Sequence, residues 1–107
     1  MRIKVSGVNV VVSNESRRYA EYRLFTSIAP HDSVIRAVDV TLGCDSFSHR
    51  PFICTVTVEL GASGRIKTQA RAAYPSAAID RAAERAAWLL RRRAAQDFTL
   101  KSPAFSS

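Results

Sequence analysis

Residues 2–12 open by alternating, with Ile3 and Val5 set against Arg2 and Lys4, and run into a continuous apolar stretch at Val10-Val11-Val12. That pattern predicts a strand, with a bulge or bend at Gly7. Ser13-Asn14-Glu15 then offers N-cap oxygens and an early acidic residue, so a helix is predicted from there to about Ile28, stopped by Pro30. Tyr19, Ala20 and Leu24 are spaced to line its buried face. A second strand is expected from Val34 to Leu42, where Val38, Val40 and Leu42 alternate with Ala37, Asp39 and Thr41. The clearest strand follows, with Phe52, Cys54, Val56, Val58 and Leu60 alternating with Ile53, Thr55, Thr57 and Glu59. The Gly43–Pro51 loop makes these two a hairpin, and Gly61-Ala62-Ser63-Gly64 connects tightly to a last strand, Arg65–Ala72. There Ile66, Thr68, Ala70 and Ala72 face one way and Arg65, Lys67, Gln69 and Arg71 the other, which puts a row of bases on one sheet surface.

The stretch Ala77–Gln96 is rich in Ala, Leu and Arg, all strong helix formers, with Ser76 as the expected N-cap. Residues 97–107 read as a flexible C-terminal tail. The expected fold class is therefore α+β in the order β-α-β-β-β-α: a four-stranded, mostly antiparallel sheet with two helices on one face, close in geometry to a double-stranded-RNA-binding domain. Residues 1–96 form a single domain in this reading.

A helical wheel divides the last helix into two faces. With Ile79 as reference, Ala82, Ala83, Ala86, Leu89 and Leu90 gather within about 80° and make a buried stripe. Arg81, Arg85 and Arg92 lie within about 60° of Trp88 on the opposite side. A tryptophan among arginines on a solvent face has three readings: it stacks on a base or sugar, it is covered by the tail through Phe98 or Leu100, or it belongs to a dimer interface. Arg91-Arg92-Arg93 is open in the same way. Cations near a helix C-terminus interact favourably with its dipole, and they also bind phosphate.

Charge narrows these choices. Of the net charge of +7, most falls in residues 61–107, which hold nine Lys/Arg against three Asp/Glu. Thirteen of the sixteen bases are Arg, which grips phosphate with two parallel hydrogen bonds and stacks on bases. A polyanionic partner is implied, and nucleic acid is the commonest. The candidate RNA-binding set is Arg65, Lys67, Arg71, Arg81, Arg85, Trp88, Arg91, Arg92 and Arg93.

Other chemistries find little support. His31 and His49 both sit in predicted loops, with no nucleophile motif and no paired carboxylates beside them, so no catalytic residues are assigned and an enzyme is not expected. Cys44 and Cys54 lack a second pair or a His cluster at metal-ligand spacing, so no metal is expected; flanking the hairpin, they read as reduced core thiols, with a cross-strand disulfide as the alternative. Glycine-rich phosphate loops are missing, so no cofactor and no small-molecule substrate are implied. No run approaches the ~20 apolar residues of a membrane span, and the N-terminus lacks the apolar stretch of a signal peptide, so a cytoplasmic protein is expected.

The opening Ile3-Lys4-Val5-Ser6-Gly7-Val8-Asn9-Val10-Val11-Val12-Ser13, with Arg17 and Tyr19 after it, resembles the start of the ribosome hibernation promoting factor and ribosome-associated inhibitor A family of sigma-54 modulation proteins. Ala77-Ala78-Ile79-Asp80, leading into a basic helix, resembles that family's second helix. The resemblance implies a short-form translation inhibitor that binds small-subunit ribosomal RNA, where messenger and transfer RNA normally sit, during stress or stationary phase. Its basic second-helix residues would be Arg85, Arg92 and Arg93, joined by Arg81 and Arg91. The chain departs from the family in having Ser76 where a Tyr is usual and Ala94-Ala95-Gln96 where the helix usually stays basic. The alternative is a divergent paralogue, a protein-interaction or dimerisation module acting through Trp88 and its arginine surround.

Overall fold

The computed structural model describes residues 1–100, the last four by their main chain alone. The first strand, β1 (Arg2–Val8), is shorter than its apolar pattern predicts. At Asn9 the chain adopts φ 59° and folds back so tightly that a Cβ on Gly7 would lie 2.3 Å from the Val10 carbonyl oxygen. Only glycine tolerates that approach. Val10–Val12 therefore cross the end of the strand as a loop, which corrects the expected strand through Val12. Val10 and Val12 are half-buried and Val11 points to solvent.

Helix α1 (Asn14–Ile28) begins where the capping residues predict. Ser13 is extended, and its hydroxyl accepts from the Ser16 amide at 3.0 Å. Ala20, Leu24 and Ile28 are its buried residues. Beyond Ile28 the chain tightens into a 3-10 turn over Ala29–Val34 with Pro30 in its opening positions, where the missing N–H costs nothing. That turn uses up Val34, so β2 (Ala37–Cys44) starts three residues later than its alternation predicts.

Strands β3 (Phe52–Glu59) and β4 (Arg65–Ala72) complete a sheet of order β1-β2-β3-β4. The α1 crossover returns the chain in its original direction, so β1 and β2 are parallel, and the two hairpins make the remaining pairs antiparallel. In the β2–β3 register Val38 faces Val58, Val40 faces Val56 and Leu42 faces Cys54. These side chains, with Val5 of β1 and Ile66, Ala70 and Ala72 of β4, form the inner sheet surface on which both helices pack. The fold is α+β with a mixed sheet.

Helix α2 (Pro75–Leu100) opens on Pro75, whose fixed φ and absent N–H suit a first helical position. Ser76 thus lies inside the first turn and is not the cap. Ala78, Ile79, Ala82, Ala83, Ala86 and Leu90 are buried, and Leu89 is half-buried, so the wheel's stripe is the face that meets the sheet. Small alanines let the helix lie close to β3 and β4. The helix reaches Leu100 and takes in the first four residues of the expected tail; residues 101–107 lie outside the described residues. Among the described residues no helix is long and apolar enough to cross a membrane.

Candidate nucleic-acid interface

β4 is an edge strand, so alternate carbonyls along it point away from β3 and need partners. Helix α2 supplies them. Arg81 Nη1 donates to the Arg71 carbonyl oxygen at 2.9 Å, Arg85 Nη1 donates to that of Gln69 at 2.7 Å, and Arg93 Nη2 donates to that of Ser63 in the turn before β4. The geometry follows from two pitches. Four residues of an α-helix rise about 6 Å and two residues of a strand about 6.6 Å, so arginines four apart meet alternate carbonyls of an antiparallel neighbour.

The consequence for binding is preorganisation. A guanidinium has five N–H donors, and one spent on a carbonyl leaves the others aimed outward from a fixed base. Arg81 and Arg85 are exposed, as are Arg91 and Arg92. The helical wheel places Arg81, Arg85 and Arg92 on a solvent face around Trp88, whereas the structure ties Arg81 and Arg85 to the β4 edge and Arg93 to the turn before it. For Arg91-Arg92-Arg93 the dipole reading falls away: α2 continues to Leu100, its last turn holds no basic residue, and the dipole acts only within that last turn.

The row on the outer face of β4 is less free than its alternation implies. Arg65 pairs with Glu59 at 3.6 Å and Arg71 with Asp45 at 3.5 Å. Lys67 stands opposite Thr57 and has no ion-pair partner among the described residues. On the side of α2 that faces away from the sheet, Trp88 keeps 47% of its surface exposed, with the Arg92 guanidinium carbon 5.1 Å from its ring centroid. The ring lies in an open groove lined by Arg81, Glu84, Arg85, Leu89 and Arg91. The side chains of Phe98 and Leu100, the sequence's candidates for covering Trp88, lie outside the described residues.

Two features escaped the sequence reading. Arg17 Nη1 donates to the Val5 carbonyl oxygen, so the β1 edge is capped by α1 as the β4 edge is by α2. Arg2, Lys4 and Arg17 line a second groove there, with Glu21 and Asp39 opposite in charge. The helices are also tied by a polar seam. Tyr19 O–H donates to Asp80 Oδ1 at 2.5 Å and Arg23 Nε donates to the same oxygen at 3.0 Å, while Arg23 Nη2 lies 3.5 Å from Glu84. Accepting the phenol proton, the Asp80 carboxylate holds Tyr19 above its ordinary 10.0, with burial adding to the shift. The 19–80 separation carries no local signature, although Tyr19 and Asp80 both belong to the segments that resemble the family.

His31 precedes β2 and His49 follows it, so the two stand at opposite ends of the sheet. Cys44 and Cys54 are free thiols; Cys54 is buried, and burial pushes it up to about 12. Among the described residues no three of His, Cys, Asp or Glu cluster as metal ligands.

Residues 3–96 match the family described as Sigma 54 modulation protein / S30EA ribosomal protein. The fold is similar to that of a ribosomal subunit interface protein from Coxiella burnetii, at TM-score 0.79 and 21% identity over 89% of this chain and 99% of that one. It is also similar to the N-terminal domain of Protein Y from Thermus thermophilus, at TM-score 0.71 and 26% identity over 86% of this chain and 98% of that one. None of the curated proteins matches the sequence.

Proposed function

The chain belongs to the sigma 54 modulation protein / S30EA ribosomal protein family, and from that premise we propose that it binds the small ribosomal subunit through ribosomal RNA and blocks translation there. The Coxiella burnetii relative is a ribosomal subunit interface protein, which fits the same role here. Residues 1–96 act as the binding domain, in the cytoplasm, without catalysis.

The observation that carries this reading is the pair of strand-anchored guanidiniums, Arg81 on the Arg71 carbonyl and Arg85 on that of Gln69. Held about 6 Å apart by one helical turn, they match the repeat of an extended phosphate backbone better than two free side chains do. Arg91, Arg92 and Arg93 extend the positive surface along α2, and Lys67 adds an ammonium from the sheet. Arg65 and Arg71 contribute through guanidiniums already turned by Glu59 and Asp45. Such contacts release counterions, so affinity should fall steeply with salt.

The test is co-sedimentation of purified protein with small subunits across a salt series. Binding at low salt, with log affinity falling linearly against log salt, is the expected result. Protein left at the top of the gradient with small subunits and whole ribosomes at low salt would sink the reading.

A further inference from the structure

Phosphate binding explains the arginines of α2 but not the aromatic ring among them. Trp88 lies on the face opposite the Ile79–Leu90 stripe and makes no contribution to the core. It keeps 47% of its surface in water, a poor place for a large apolar ring without an occupant. Arg92 lies against the indole at 5.1 Å, within the range of a cation–π contact. One turn away, Arg85 is fixed on the Gln69 carbonyl, and Arg81 and Arg91 complete the groove around the ring. Among the described residues the one carboxylate in that groove, Glu84, lies 3.5 Å from Arg23, which offsets its charge.

The ligand that fits has two parts: a flat polarisable face for the indole and negative charge within reach of several guanidiniums. A nucleotide carries both on one unit. In a duplex the faces of the bases are hidden in the stack, so the occupant must present a base that is out of it.

We infer that Trp88 is the stacking platform for a single unpaired nucleotide of the RNA, with Arg92 fixing the indole and Arg81, Arg85 and Arg91 holding the phosphates on either side. This assignment rests on the RNA reading above and sharpens it: α2 takes single-stranded RNA with a splayed base, not duplex backbone alone. Stacking tolerates any base, so the site contributes affinity for unpaired strands without a sequence preference.

Trp88 is the single tryptophan of the chain, so its emission reports on this site alone. The full-length protein is titrated at low salt with a single-stranded RNA oligonucleotide, a duplex RNA of the same length and inorganic polyphosphate, which has the charge but no base. Single strand should quench the emission, and polyphosphate should leave it unchanged at saturation. Trp88→Ala should weaken single-strand binding roughly 5- to 150-fold, the equivalent of ~1–3 kcal/mol for one stacked base, and leave polyphosphate within about two-fold. Alanine is a strong helix former at this exposed position, so the variant should keep its fold, and Trp88→Phe should restore most of the affinity.

Two results overturn the assignment: saturation by single strand with unchanged emission, or equal weakening of single strand and polyphosphate by Trp88→Ala. A variant that keeps its RNA affinity and changes only in native mass also overturns it, in favour of a protein interface. If any of these occurs while the wild-type protein still co-sediments with small subunits, stacking fails and RNA binding stands. If co-sedimentation fails as well, the parent reading is wrong.

Discussion

Arg85 donates to the carbonyl oxygen of Gln69 across 2.7 Å, linking the exposed face of α2 to the free edge of β4. The bond has two effects. It blunts an edge that would otherwise invite pairing with another chain, and it holds the guanidinium at one angle.

Separating these effects gives a first prediction. Arg85→Ala should lower the slope of log affinity against log salt by about one unit on small subunits, since one phosphate contact is lost. Arg85→Lys should keep the slope and still lose several-fold in affinity, because an ammonium cannot hold a carbonyl and a phosphate in one plane. Both variants should retain stability to within about 1 kcal/mol, since the side chain is exposed. A salt series read by sedimentation checks the affinities and slopes, and a denaturant melt the stability; an unchanged slope in Arg85→Ala would leave Arg85 with the edge-capping role only.

What the sequence revealed and hid can be traced through the same residues. The Ile66–Ala72 alternation and the alanine–leucine stripe of α2 were legible because burial on one side writes its period directly into residue type. Nothing comparable marks the arginine anchors. The carbonyls that Arg81 and Arg85 meet are main-chain atoms, which leave no trace in residue identity, so the wheel gave the angle of each arginine but not the strand edge beneath it. Val10-Val11-Val12 misled for a related reason: their apolarity reflects a loop packed across the sheet end, and the turn at Asn9 that sends it there depends on close approach to Gly7. The segments that resemble the family contain Arg17, Tyr19 and Asp80, and the structure uses these to join elements. They identified the fold, while the exposed Trp88 lies outside the segments that carried the resemblance.

The two cysteines differ in environment by more than their spacing suggests. Cys54 faces Leu42 on the inner surface of the sheet, while Cys44, two residues further along β2 from Leu42, is half-buried. With its thiol pushed up to about 12, Cys54 at pH 8 is thiolate in only about one molecule in ten thousand, and access is blocked as well. Alkylation of native protein should therefore label Cys44 alone, and Cys54 should react only as fast as the sheet opens. Mass spectrometry of the adducts over time, with and without denaturant, reads this directly. Equal labelling rates in the folded protein would mean that β3 is not held in the core as described.

Asp80 is where the two helices meet, because one of its oxygens accepts from both Tyr19 and Arg23. Asp80→Ala should remove both bonds and leave Arg23 with the more exposed Glu84, at a cost of about 1–2 kcal/mol after allowing for partial solvent exposure. A lower thermal midpoint, by roughly 5–10 °C for a domain of this size, is the expected readout. The same contact sets a pH dependence. The folded state holds the Tyr19 proton above the ordinary 10.0, chiefly because Asp80 accepts it, so the unfolded chain releases that proton first as pH rises. The contribution is fully present below pH 10 and is lost as pH climbs through the raised value, since the unfolded state binds fewer protons over that interval. Tyr19→Phe lacks the proton altogether. Its stability should start lower at neutral pH and decline less steeply above pH 10, so that the two curves converge, and denaturant melts between pH 7 and 11 would show whether they do. Parallel curves across that range would place the alkaline sensitivity in another group and reduce the Tyr19–Asp80 bond to a contact without thermodynamic weight.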